Sequence, residues 1–162
     1  MAQVARDGLE VVRDGLRREF PEADASAATV VLALTAAARR VDAWLQGVLK
    51  PLGLADASAA VLLALAMEGA PYRMSATDLN EMLVMTSGGM TRTVDRLEDA
   101  RLVTRVADHD DGRRVLVQLT KRGHKAAERL VSALVKSFAD RVGLDESVVG
   151  VLRAFDDLPT PH

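Results

Sequence analysis

Along the chain, apolar and polar positions repeat with a helical period almost everywhere and with a period of two in only one place. Residues 2 to 19 carry Val4, Leu9, Val12 and Leu16 at roughly helical spacing, and Phe20-Pro21 ends that run. Glu22 to Ser26 reads as a connector with two candidate caps, Asp24 and Ser26. A long helix is then predicted from Ala27 to Leu49, apolar on more than one face through Val30, Val31, Leu34, Ala38, Val41, Leu45 and Val48. A helix apolar nearly all round needs cover on several sides, and in a chain this small a partner chain is the expected cover. Pro51 and Gly53 stop it.

Three shorter helices follow. Asp56 is the expected cap of Ala57 to Glu68, which Gly69 and Pro71 terminate. Ser75 with Asp78 is a capping-box variant opening a helix to about Val84, and Thr86 caps another to about Ala100. From Leu102 the period changes. Val103, Arg105 and Ala107, then Val115, Val117 and Leu119, alternate with their neighbours as strands do, and the polar stretch from Asp108 to Arg114 between them contains Gly112. This predicts a β-hairpin with a charged tip. Thr120 caps a second long helix, Lys121 to Val142, with Ala126, Ala127, Leu130, Leu134 and Phe138 as its stripe. Gly143 ends it, and Asp145 starts a last helix to about Leu158.

The expected fold is therefore mainly α with a small β-hairpin wing, a winged helix-turn-helix that dimerises through its long N- and C-terminal helices. The expected division is 1–55 for the N-terminal extension and dimerisation helix, 56–120 for the DNA-binding lobe and 121–162 for the C-terminal dimerisation helices.

Composition narrows the chemistry. The 162 residues hold no cysteine, which removes disulfides, thiolate metal sites and cysteine nucleophiles. His109, His124 and His162 are not at ligand spacing, so neither a metal nor a cofactor is expected. The pair Gly88-Gly89 is not followed by Gly-Lys-Ser/Thr and is no phosphate loop. With no nucleophile-base pair either, an enzyme is not expected. No apolar run approaches the roughly 18 residues of a membrane span, and charges at Arg6, Asp7, Glu10 and Arg13 argue against a signal peptide. A cytoplasmic protein is the expectation. The net charge is −2, but Thr86 to Arg122 carries eight Lys or Arg against six Asp or Glu, a basic patch on an acidic chain.

That patch coincides with the helix Ser87-Gly88-Gly89-Met90-Thr91-Arg92-Thr93-Val94-Asp95-Arg96-Leu97. In a helix-turn-helix the second helix offers its N-terminal end to the major groove. Ser87, Thr91, Arg92 and Arg96 are donors suited to base edges or phosphates, and Gly88 lets backbone approach DNA. Met90, Val94 and Leu97 are spaced to face inward. At the hairpin tip, Arg113 and Arg114 beside Asp108, Asp110 and Asp111 form either a solvated charge cluster or a probe for the minor groove. Arg39, Trp44, Tyr72 and Arg73 are candidates for a small-anion pocket between the long helix and the lobe. The simpler reading of Trp44 is a packed interface tryptophan, and of Tyr72 and Arg73 loop residues. His124 is expected at the surface.

The stretches TSGGMTRTVDRLEDARLVTR and DHDDGRRVLVQLTKRG resemble the recognition helix and wing of the MarR family of transcription regulators. The most specific pieces are Leu97-Glu98 with Leu102-Val103, the wing Asp111-x-Arg113 and the closing Leu119-Thr120-x-x-Gly123. The resemblance implies a homodimer on double-stranded DNA, a ligand-responsive repressor of a pseudo-palindromic operator. It also implies that Arg113 enters the minor groove and that Asp111 orients it. The family's glycine before the Leu-Val step is Arg101 here. The extra N-terminal helix and GAPYRMSATDL are similar to a branch that senses small organic anions such as urate and aconitate. The urate-reading tryptophan and arginines of that branch fall on Leu16, Val106 and Gln118, so those roles do not carry over. The alternative is a helical protein-interaction module without DNA binding.

Overall fold

Caps decide where most helices begin in the computed structural model, which describes residues 2–22, 24–108 and 114–139. The Asp24 carboxylate accepts hydrogen bonds from the amides of Ser26 at 2.9 Å and Ala27 at 3.0 Å and so opens α2 (Ala25–Leu49). Asp24 is thus the cap, and Ser26 lies inside the helix. α1 (Ala2–Glu19) packs along α2, and together they form one compact unit, Met1–Lys50; Pro51–His162 form the second. A 3-10 turn at Lys50–Leu52 and Gly53, at φ 67°, follow α2 as the sequence suggests.

In the second unit, α3 (Asp56–Met67) buries Ala59, Val61, Leu62, Ala64 and Leu65, which explains why its sequence is apolar on every face. Asp56 does not cap it. The N-cap is Ala55, with no side-chain bond, and Asp56 is the first helical residue. There its carboxylate complements the positive end of the helix dipole. α4 (Ala76–Leu83) opens on Ser75, whose Oγ accepts from the Asp78 amide at 3.1 Å. Val84 ends it in the left-handed region, φ 50°. α5 (Ser87–Asp99) opens on Thr86, whose Oγ1 accepts from the Gly89 amide at 3.2 Å. Helix, three-residue turn and helix are therefore built from the caps foreseen in sequence.

The sheet has one strand more than expected. β2 (Val103–Ala107) and β3 (Val115–Leu119) form the hairpin, with Val103 opposite Leu119 and Ala107 opposite Val115. β1 (Arg73–Ser75), expected to be loop, pairs antiparallel with β3 on its other side, giving the order β1-β3-β2. Three residues that run directly into a cap are too few to show alternation. α6 (Lys121–Ala139) packs on α3, and Thr120 Oγ1 caps it by accepting from the Gly123 amide at 3.0 Å. The continuation expected to Val142 and the helix expected from Asp145 to Leu158 lie outside the described residues.

The core joins Val61, Leu62 and Leu65 of α3 to Leu79, Met90, Val94, Leu97, Val103, Val117 and Ala127, so helices, sheet and α6 share one apolar interior. Each fully buried Leu or Val there contributes on the order of 1.5–3 kcal/mol. α6 meets the sheet at a point with no spare room. A Cβ built on Gly123 would collide with the carbonyl oxygen of Leu102 and stand 3.2 Å from Leu119 Cδ2. The same carbonyl accepts the Thr120 amide at 3.0 Å. The glycine of the Leu119-Thr120-x-x-Gly123 motif is there because no side chain fits.

Candidate nucleic-acid interface

Burial divides α5 into two faces. Met90, Thr93, Val94 and Leu97 are buried, the Thr93 Oγ1 donating to the Gly89 carbonyl at 2.9 Å. Ser87, Gly88, Thr91, Arg92, Asp95 and Arg96 are exposed on the other face. Thr91 Oγ1 donates to the Ser87 carbonyl at 3.0 Å, and Arg92 Nε to the Gly88 carbonyl at 3.2 Å. The Arg92 bond uses only Nε. Both terminal guanidinium nitrogens stay as donors for a bidentate contact with a guanine edge or a phosphate. All five residues proposed from sequence on this helix are thus together on one solvent-facing surface.

The two adjacent glycines have different reasons. A Cβ at Gly89 would lie 3.0 Å from the capping Thr86 Oγ1, so Gly89 protects the cap. A Cβ at Gly88 would meet nothing within 4 Å. The fold therefore does not require Gly88, and its exposed backbone stays open to approach.

A charge network fixes the wing strand to this helix, and sequence reasoning missed it. Arg105 on β2 pairs with Asp95 at 2.6 Å and with Glu98, and its backbone amide donates to Glu98 Oε1 at 3.1 Å. The hydrogen bond that the guanidinium donates to Asp95, with Glu98 beside it, raises its already high pKa, so Arg105 stays charged. Asp95 and Glu98 lie beside the exposed cations Arg92 and Arg96 of α5, and Arg105 offsets their negative charge. The signal in sequence was a pair of acids on the helix and a cation seven and ten residues further on. Only a helix that turns back into a strand brings them together.

At the base of the wing the Asp108 amide donates to the Arg114 carbonyl at 2.9 Å. Arg114 is exposed. Asp111 and Arg113 lie outside the described residues. The helix end before the wing takes the shape a glycine would give: Arg101 adopts φ 58°, with its amide bonded to the Glu98 carbonyl at 2.8 Å. For a residue with a Cβ that conformation costs about 1–2 kcal/mol.

Of the pocket candidates, Arg39 and Trp44 belong to α2 in the first unit, Arg39 exposed and Trp44 half-buried. Tyr72 and Arg73 belong to the second. Tyr72 lines a cavity of about 410 Å³ with His124, Lys121, Lys125 and Gln118, whereas Arg73 is not among its walls and pairs with Gln118 across the sheet. His124 is half-buried, its ring edge-on to Tyr72 with centroids 4.7 Å apart and its Nδ1 3.4 Å from Glu128. It lies at the surface, as expected, and forms part of the wall of this open cavity. Among the described residues no group of three or more His, Cys, Asp or Glu could hold a metal ion, and no single helix is long and apolar enough to cross a membrane.

Residues 52–114, which span α3, α4, α5 and the first wing strand β2, match the MarR family. The transcriptional regulator PecS of Dickeya dadantii is 29% identical over 124 residues, 76% of this chain and 75% of PecS. Over that segment the chain is similar to MarR-family transcription regulators, and the family's winged helix-turn-helix is the fold seen here. Bordetella bronchiseptica BpsR, whose DNA binding is regulated by 6-hydroxynicotinic acid, is 26% identical, with a TM-score of 0.69 over 80% of this chain and 94% of BpsR. Streptomyces coelicolor Sco3205, a MarR family regulator solved in complex with DNA, shares the fold at 24% identity, with a TM-score of 0.70 over 85% of this chain and 91% of Sco3205. In a MarR-family frame, α4 and α5 are the helix-turn-helix, with α3 packed against them, and β2–β3 are the wing.

Proposed function

We propose that this protein is a ligand-responsive repressor of the MarR family that binds a pseudo-palindromic operator as a homodimer. The observation that carries the reading is the exposed row Ser87, Gly88, Thr91, Arg92 and Arg96 on a helix whose opposite face is anchored in the core. Ser87, Gly88 and Thr91 position backbone and hydroxyls against phosphates, and Arg92 reads a base edge. Arg113, oriented by Asp111, and Arg114 contact the minor groove from the wing. Dimerisation is supported by apolar side chains exposed in the single chain: Val30, Val31 and Val41 on α2, and Val131, Val135 and Phe138 at helical spacing on α6. The protein acts in the cytoplasm, where its operator is.

The effector site we infer is the cavity beside Tyr72 and His124. Its size suits a small ligand, and Lys121 and Lys125 supply cations at its wall. An aromatic carboxylate meets both features, as does the acid that regulates BpsR. Such a ligand lowers DNA affinity by as much as it prefers the DNA-incompetent form, commonly about 1–3 kcal/mol.

The test is DNA binding by fluorescence anisotropy on the chain's own upstream DNA, for wild type and Arg92→Ala. Loss of about 1–3 kcal/mol of affinity and relaxed base preference, with an unchanged melting temperature, is the expected result. Unchanged binding with a lower melting temperature would show that Arg92 serves the fold.

A further inference from the structure

Next to the Tyr72 cavity, and sharing Lys125 with it, lies a second groove. Pro51 and Leu54, Ala100 at the end of α5, and Arg122, Lys125 and Arg129 on α6 enclose about 420 Å³. Every ionisable side chain lining it is cationic, and among the described residues none of the three makes an ion pair. Their spacing puts them on one helix face over about 10 Å.

This placement works against the free helix in two ways. Like charges three and four residues apart repel, by about 0.2–0.5 kcal/mol per pair. Arg122 and Lys125 also stand in the first two turns of α6, whose first turn has no acid, and the dipole there favours anions and disfavours cations. A local rule broken without compensation inside the protein points to compensation from outside it. DNA is a poor candidate. Ala100 is about 20 Å along α5 from Ser87, at 1.5 Å per residue, so the groove is remote from the reading end.

We propose that this groove binds a small organic polyanion, one carrying at least two carboxylate or phosphate groups. The three cations hold the charges, and Pro51 and Leu54 form an apolar wall for the carbon skeleton. A span of about 10 Å accommodates charges several bonds apart, and the volume lies in the range of ordinary ligand sites. Bound there, the ligand ties the segment that leaves α2 to the helix that caps the wing.

The inference does not depend on the effector reading, and its test separates the two. Citrate and pyrophosphate are titrated into the full chain against sodium chloride of equal ionic strength, following melting temperature and calorimetric binding. At least one should bind above the salt control. Arg122→Gln/Arg129→Gln, which leaves the Tyr72 cavity untouched, should weaken that binding at least tenfold, and Arg129→Gln alone severalfold. Tyr72→Ala should leave it unchanged. Binding of citrate only assigns a carboxylate site, and of pyrophosphate only a phosphate site. Equal binding by the variants, or a salt control that reproduces the shift, overturns the proposal. So does loss of operator affinity by the double variant without any polyanion, which would make these cations phosphate contacts on DNA.

Discussion

Gly88 and Arg101 are two positions where side chain and backbone disagree, in opposite senses. At Gly88 a side chain would fit and none is present; its lack costs the helix about 0.5–1 kcal/mol relative to alanine. Gly88→Ala should therefore raise stability in urea melts by about that amount. If the open backbone is where DNA comes close, operator affinity should fall in the same variant. Higher stability with unchanged affinity would remove Gly88 from the interface. At Arg101 a side chain is present although the backbone is left-handed, as it is at Val84. Val84 was not legible, because sequence announces left-handed residues through Gly or Asn; at Arg101 the only sign was the glycine that the resembled family has there.

Between elements, the strongest polar tie is Arg105 with Asp95 and Glu98, which joins the wing to the reading helix. Arg105→Gln should cost stability little, within about 1 kcal/mol, since the pairs are partly solvated. It should cost DNA affinity more, about tenfold, because two carboxylates are then left beside phosphate. That repulsion is screened by salt, so anisotropy titrations should show the larger loss at low ionic strength. A loss independent of salt would mean that the wing has moved instead. The elements themselves were largely readable. Thr86, Ser75 and Thr120 marked three helix starts by caps, and Met90, Val94 and Leu97 announced the buried face of α5. Asp56 misled because an acid in the first turn and an acid at the cap look alike in sequence. β1 was missed because its partner β3 is far along the chain, and the Arg105 network because its acids, though close in sequence, meet it only where the helix turns back into a strand.

At the scale of the whole molecule, a single copy of the chain leaves Val31 59% and Val135 62% exposed on two long helices, apolar surface that the proposed homodimer would cover. The expected particle in sedimentation at micromolar concentration is a dimer, and half-sites should lie about 10 bp apart, one turn of DNA. A monomer under those conditions, with operator binding intact, would contradict the homodimer.

The contact between Gly123 and Leu102 has a consequence in time as well as in space. Leu119 donates to the Tyr72 carbonyl, and Thr120 to that of Leu102, each at 3.0 Å, while the Thr120 side chain holds the Gly123 amide. One short stretch of backbone thus ties three strands and a helix around a point that tolerates no added atom. To release any of these amides, strand and helix must part together, which is global opening and not local fraying. In deuterium exchange, the amides of Leu119, Thr120 and Gly123 should be among the last to be labelled, long after the exposed turn at Val84, and their rate should report the stability of the entire lobe.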